Sequence, residues 1–183
     1  ALNLNTGAEV WKFESEGSPV GRRASATPVV AGGRVYVMGS THLYCVAAAD
    51  GGLVWKAPLV SPGPGSSPLV ADGRVYVASG RAAAYDAETG EKVWEAKEVR
   101  AGDGSPTWWT PDGVEPQVVI NGSNALYGLE PATGKVLWEA EGGSQSSAVA
   151  SGNHLVIYSG KEGVGLRVYE HVAGGPPKAL WSH

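Results

Sequence analysis

Residues 67–94 read SPLVADGRVYVASGRAAAYDAETGEKVW. The stretch divides into four short segments separated by turn chemistry. Pro68 to Ala71 is a brief apolar run. Asp72-Gly73 is a tight-turn pair, because glycine tolerates the positive φ that such turns demand. Arg74 to Ala78 alternates at period two with β-branched and aromatic residues, the signature of a half-buried strand. Ser79-Gly80 turns again, Ala82 to Asp86 forms a third segment, and Glu88-Thr89-Gly90 leads into a fourth, Glu91 to Glu95. The reading is four antiparallel strands in a row.

The same text recurs along the chain. TGAEVW stands at 6–11, DGGLVW at 50–55, TGEKVW at 89–94 and TGKVLW at 133–138, with a degenerate copy, GGPPKALW, at 174–181. Trp11, Trp55, Trp94, Trp138 and Trp181 therefore repeat at intervals of 39 to 44 residues. Between them TPVVAGGRVYVMGS at 27–40 matches SPLVADGRVYVASG at 67–80, with weaker copies at 108–122 and 147–160. A four-strand unit of about 40–45 residues is the period of a β-propeller blade.

The segment 84–94 resembles the tryptophan-docking motif A-x-D-x-x-T-G-x-x-x-W of quinoprotein-type propellers, the PQQ-like repeat family. Residues 1–11 fit with Asn3 in the Asp place, and 128–138 fit with Gly128 for Ala and Glu130 for Asp. Residues 45–55 keep the Gly and the Trp but carry Cys45, Ala47 and Asp50 elsewhere. The resemblance implies an all-β propeller of four-stranded antiparallel blades. It also implies that Trp11, Trp55, Trp94, Trp138 and Trp181 are structural anchors lying flat between adjacent blades, where an indole buries a large surface.

Counting strands predicts a single propeller arc over 1–183: a half blade at 1–15 and full blades at 24–59, 66–99, 103–141 and 146–183. That makes eighteen strands, about four and a half blades, whereas rings of this family usually have seven or eight. The chain reads as part of a larger ring, with a homo-oligomer through open edges as the second reading and a small closed ring as the third. It begins at Ala1 without a leader-like segment, so a leader is expected to have been removed or to lie outside this sequence.

Composition agrees. Gly 27 and Pro 12 together make about 21% of the 183 residues, against a usual share of roughly 12%. With 43% apolar residues to build a core, that excess is turn chemistry and not disorder. It argues against a helical bundle, because both residues are poor in helix interiors. A formal charge of −4 argues against a nucleic-acid binder driven by net charge. The single cysteine, Cys45, excludes an internal disulfide framework and a cysteine zinc cluster. No apolar run is long enough for a transmembrane helix.

Propeller function usually sits on loops at one face. The connections between blades carry Ser18, Arg22, Arg23, Asp103, Trp108, Trp109 and Gln145, and the second-to-third-strand turns carry Thr41, His42, Arg81, Asn121, Asn124, Lys161 and Glu162. From these, Arg22, Arg23, His42, Arg81, Asp103, Trp108, Trp109, Asn124 and Gln145 are the candidate partner-binding residues, since Arg and Trp are enriched at binding hot spots; the weightier alternative is that Trp108 or Trp109 starts an inner strand and packs in the core, and that Arg22-Arg23 is a solvated loop. No catalytic, cofactor-binding or metal-ligating residue is assigned. His42, His154, His171 and His183 lack metal-ligand spacing, and no nucleophile-elbow motif marks a serine. The resemblance offers two functions. One is a noncatalytic extracytoplasmic protein-binding scaffold of the BamB type, periplasmic or extracellular, whose partner is another protein or the remaining blades. The other is part of a PQQ-dependent alcohol or sugar dehydrogenase, with PQQ and calcium held by residues outside this chain. The adjacent cysteines and heme-attachment motif of such enzymes do not occur here.

Overall fold

The computed structural model describes residues 1–16, 26–61, 66–144 and 146–183. Sixteen strands fall into four antiparallel sheets of four, each in simple sequence order. The first blade holds β1 (Val29–Ala31), β2 (Arg34–Met38), β3 (His42–Ala47) and β4 (Leu53–Pro58). The second holds β5 (Leu69–Ala71), β6 (Arg74–Ser79), β7 (Arg81–Asp86) and β8 (Lys92–Arg100). The third holds β9 (Thr107–Trp109), β10 (Gln117–Asn121), β11 (Leu126–Leu129) and β12 (Val136–Ala140). The fourth holds β13 (Val149–Ser151), β14 (His154–Ser159), β15 (Gly165–Glu170) and β16 (Lys178–Ser182). The fold is an all-β propeller arc.

Residues 1–15 depart from the expected pair of strands. They form a hairpin held by one bridge, Leu2 to Glu9, so sixteen strands replace the eighteen counted from sequence among the described residues. The physical reason is the lack of a sheet: a two-stranded hairpin with no third strand beside it is marginal in water.

The core lies between blades. Tyr76, Ala78, Ala82, Ala84 and Trp94 of the second blade pack on Val118, Ile120, Tyr127 and Leu129 of the third. Tyr36, Leu43, Cys45 and Trp55 of the first pack on Val75, Val77, Ala83 and Tyr85 of the second. Trp109, Val119, Leu126 and Trp138 of the third pack on Leu155, Ile157 and Tyr169 of the fourth. The second and third blades present small or apolar residues on both faces, as a sheet buried on both sides must. The short first strands β1, β5, β9 and β13 are neighbours in that order, so they line the inside of the arc.

A bulge recurs at one place in every blade. The third and fourth strands slip register after Cys45, Ala84, Gly128 and Val168, the residues paired with Trp55, Trp94, Trp138 and Trp181. An extra residue in one strand re-aims the side chain beside it.

Candidate functional site

The four-strand order brings the blade-to-blade connections and the second-to-third-strand turns to one face. There the last residue of the second strand in the second, third and fourth blades ties its blade to a connection. Ser79 Oγ donates to the Ser61 carbonyl at 2.7 Å. Ser159 Oγ donates to the Gly143 carbonyl. Asn121, fully buried, does most: Nδ2 donates to the Ser146 carbonyl at 3.1 Å and to the Tyr158 carbonyl at 3.3 Å, while Oδ1 accepts from the Gly143 amide at 3.0 Å. Backbone bonds run alongside, Leu59 N–H to Thr41 O, Ala101 N–H to Gly80 O and Ser144 N–H to Gly122 O. The loop face is a laced platform. Buried polar groups with partners rigidify such a site, and unpaired ones would cost stability.

On this platform Asp103 and Asn124 are exposed. Asn124 Oδ1 accepts from the Tyr127 hydroxyl at 3.1 Å. Arg81 opens β7, half-buried, with Nε 3.9 Å from Glu95 Oε1. His42 opens β3, with Nδ1 2.8 Å from Thr41 Oγ1 and its ring beside Tyr44. Arg22, Arg23 and Gln145 lie outside the described residues, as does Ser18.

Trp108 and Trp109 correct the sequence expectation. They belong to strand β9 and not to a connection. Period-two geometry sends them to opposite faces of the third blade. Trp108 packs against Tyr76 of the second blade, the ring centroids 6.0 Å apart and the planes tilted by 43°. Trp109 is buried against the fourth, its Nε1 donating to the Gly152 carbonyl at 2.8 Å and its ring edge-on to His171. Both are packing residues between blades.

The docking tryptophans divide. Trp11 lies on Gly51 and donates Nε1–H to Ala48 O at 3.0 Å. Trp55 lies on Gly90 and donates to Ala87 O at 3.1 Å. Trp94 lies on Gly134 and donates to Pro131 O at 2.9 Å. Each seat belongs to the next blade, and its glycine has φ of +74° to +76°. Trp138 breaks the pattern: it turns onto Gly128 of its own blade and donates to Gln117 Oε1 at 2.7 Å. Trp181 is half exposed.

Sequence reasoning passed over one array. The Thr27 amide donates to Ser67 Oγ at 2.8 Å, the Ser67 amide to Ser105 Oγ at 3.0 Å, and the Ser105 amide to Ser147 Oγ at 2.8 Å. This relay runs along the inside of the arc, one bond per junction. Its signal was present as the column Thr27-Pro28, Ser67-Pro68, Ser105-Pro106 ahead of the first strands of the first three blades, with Ser147-Ala148 ahead of the fourth.

Among the described residues no group of three or more His, Cys, Asp or Glu side chains is placed to hold a metal ion. No helix there is long and apolar enough to cross a membrane. Cys45 is buried, and burial pushes its thiol pKa up, away from nucleophilic use.

The family described as outer membrane protein assembly factor BamB matches residues 1–162. The chain belongs to the BamB propeller family. The BamB crystal structure from Moraxella catarrhalis is similar over 100% of this chain and 56% of that one, with a TM-score of 0.74 and 22% identity. This BamB-family chain thus spans about half the length of that relative. Quinohemoprotein alcohol dehydrogenase ADH-IIG from Pseudomonas putida is 29% identical over 150 residues, covering 70% of this chain and 20% of the enzyme. The computationally designed Ika4 protein is similar over 91% of this chain and 99% of its own, with a TM-score of 0.58 and 13% identity. The chain is thus similar both to an outer membrane protein assembly factor and to part of an alcohol dehydrogenase.

Proposed function

We propose that the chain is the propeller portion of a noncatalytic, extracytoplasmic scaffold that binds protein during outer-membrane protein assembly. The observation that carries this reading is the laced loop face. Ser79, Asn121 and Ser159 fix its backbone, while Asp103 and Asn124 remain exposed. A pre-ordered surface loses little entropy on binding. The test is binding of the chain to outer-membrane assembly machinery in lipid nanodiscs, read by biolayer interferometry. The charge-reversed pair Arg81→Glu and Asp103→Lys should weaken binding at least tenfold. Equal binding by the parent chain and the variant would sink the assignment.

A second reading rests on the identity shared with the quinohemoprotein alcohol dehydrogenase. Under it the chain is a structural part of a PQQ-dependent dehydrogenase, with PQQ and calcium held elsewhere. The test is incubation with PQQ and calcium followed by dye-linked alcohol oxidation. Turnover would favour this reading over the scaffold.

A further inference from the structure

Two blade junctions differ on the face opposite the loop platform. Between the first and second blades Arg34 reaches across. Its Nη1 donates to the Ala87 carbonyl at 2.9 Å and to the Glu88 carbonyl at 3.3 Å. The Tyr36 hydroxyl and Trp55 Nε1 donate to the same Ala87 oxygen, both at 3.1 Å. A guanidinium, a phenol and an indole thus converge on one carbonyl.

Between the second and third blades the repeat puts Arg74, Tyr76 and Pro131 where Arg34, Tyr36 and Ala87 stand. Here Asp72 replaces Gly32 and draws Arg74 back to its own turn, with Nη1 3.3 Å from the Asp72 carbonyl and 3.4 Å from its carboxylate. Among the described residues the Pro131 carbonyl accepts only the Trp94 indole. The Tyr76 hydroxyl, on a residue 1% exposed, has no hydrogen-bond partner there. Its counterpart on Tyr36 is aimed at Ala87 O, which places this one toward Pro131. A buried hydroxyl left unpaired costs stability that an arriving donor would recover.

Pro131 lines a cleft of about 490 Å³. Trp108 forms one wall, in the place that Val70 holds in the preceding junction, and offers an indole face to a planar cation. Asp72, Glu115 and Glu130 bring three carboxylates, with Thr133 Oγ1 donating to Glu130 and Arg74 as the one cation beside them. These carboxylates are not grouped to hold a metal ion. A guanidinium fits instead, since it carries five donors and no acceptor and this cleft supplies a carbonyl, a phenol oxygen and carboxylates.

We propose that this cleft binds the guanidinium of an arginine side chain from a partner peptide, over Pro131 as Arg34 lies over Ala87. The site is separate from the loop platform, so it stands or falls independently of the scaffold reading.

The experiment is a nuclear magnetic resonance titration of the 183-residue chain with N-acetyl-arginine amide, following the Trp108 indole N–H signal, assigned with Trp108→Phe. The signal should shift saturably at millimolar ligand, and the neutral citrulline analogue should leave it in place. Glu115→Gln, an exposed and conservative change, should weaken binding by roughly threefold, within the worth of an exposed ion pair. Arg74→Ala, which removes a like charge, should bind at least as tightly as the parent. No shift in the parent overturns the proposal, as does an equal response to citrulline. Binding seen only after Arg74→Ala overturns it too, because Arg74 itself would then fill the cleft.

Discussion

Trp94 seats its indole on Gly134 of the following blade, with Nε1–H 2.9 Å from the Pro131 carbonyl. The side chain is 8% exposed and spans the boundary between two sheets. Trp94→Ala should therefore cost about 3–5 kcal/mol, the range for truncating a buried aromatic. Trp181→Ala, in the same repeat position without a seat, should change monomer stability by less than about 0.5 kcal/mol. Urea denaturation of both variants in dilute solution checks the pair. Equal losses would show that repeat position alone, and not the neighbouring glycine, sets the contribution.

Gly128 offers a steric test free of backbone strain. Its φ is not among the positive values, and equivalent sites hold Cys45 and Ala84. Trp138 fills the space a side chain at 128 would need. Gly128→Ala should destabilise the fold by about 1–3 kcal/mol through overpacking, read as a lower denaturation midpoint at constant slope. The indole should be displaced as well, with a visible change in near-ultraviolet circular dichroism.

The serine relay predicts a local effect. Ser105→Ala removes the acceptor of the Ser67 amide and leaves β5 and β9 otherwise intact. The loss should be about 1 kcal/mol, the net value of one hydrogen bond. Native-state hydrogen exchange should quicken at Ser67 more than at core amides of β6.

Two groups illustrate how stability depends on pH. The Thr89 amide, helped by the Glu88 amide, the Thr89 hydroxyl and the Arg74 charge, holds the Asp86 carboxyl below its ordinary value. A depressed folded pKa contributes stability above the unfolded value, near 3.9, and that contribution is lost as pH falls through the folded pKa. Asp86→Asn keeps the acceptor and should flatten the acid limb of a denaturation series. At the other end, burial pushes the Tyr85 phenol up to about 12. Its folded form holds the proton longer than the unfolded chain, whose phenol titrates near 10. Stability should therefore decline between pH 10 and about pH 12, and Tyr85→Phe should lessen that decline. Phenolate absorbance of the folded protein should show fewer tyrosines titrating near pH 10 than the unfolded protein does, since burial pushes Tyr36 and Tyr76 up as well.

Strand identity was legible because turn residues and period-two alternation are local properties. Asp72-Gly73 and Thr89-Gly90 mark turns by their own chemistry. What joins blades is less local. The Asn121 hub and the Thr27-Ser67-Ser105-Ser147 relay depend on residues 22 to 42 positions apart becoming neighbours, and no short window of sequence contains both partners. Trp138 had a readable clue, since Gly128 stands beside it and the fourth blade replaces Thr-Gly with Gly174-Gly175-Pro176-Pro177. With no Thr-Gly turn ahead of it, the indole finds its partner at home in Gln117. Trp108 and Trp109 are legible both as a binding pair on a connection and as the start of a packed inner strand; they stand on β9, where adjacency means opposite faces.

The bulge that follows Cys45, Ala84, Gly128 and Val168 recurs at the same rung in all four blades. Each blade touches only its neighbours, so the arc behaves as a one-dimensional array. A duplicated gene segment encoding one blade would arrive with its own plug and its own receptor, already in phase with both neighbours. Such an architecture can lengthen by copying alone, and its evolutionary history is then written in the departures: a glycine at 128, a proline pair at 176–177, and a tryptophan that changed partners.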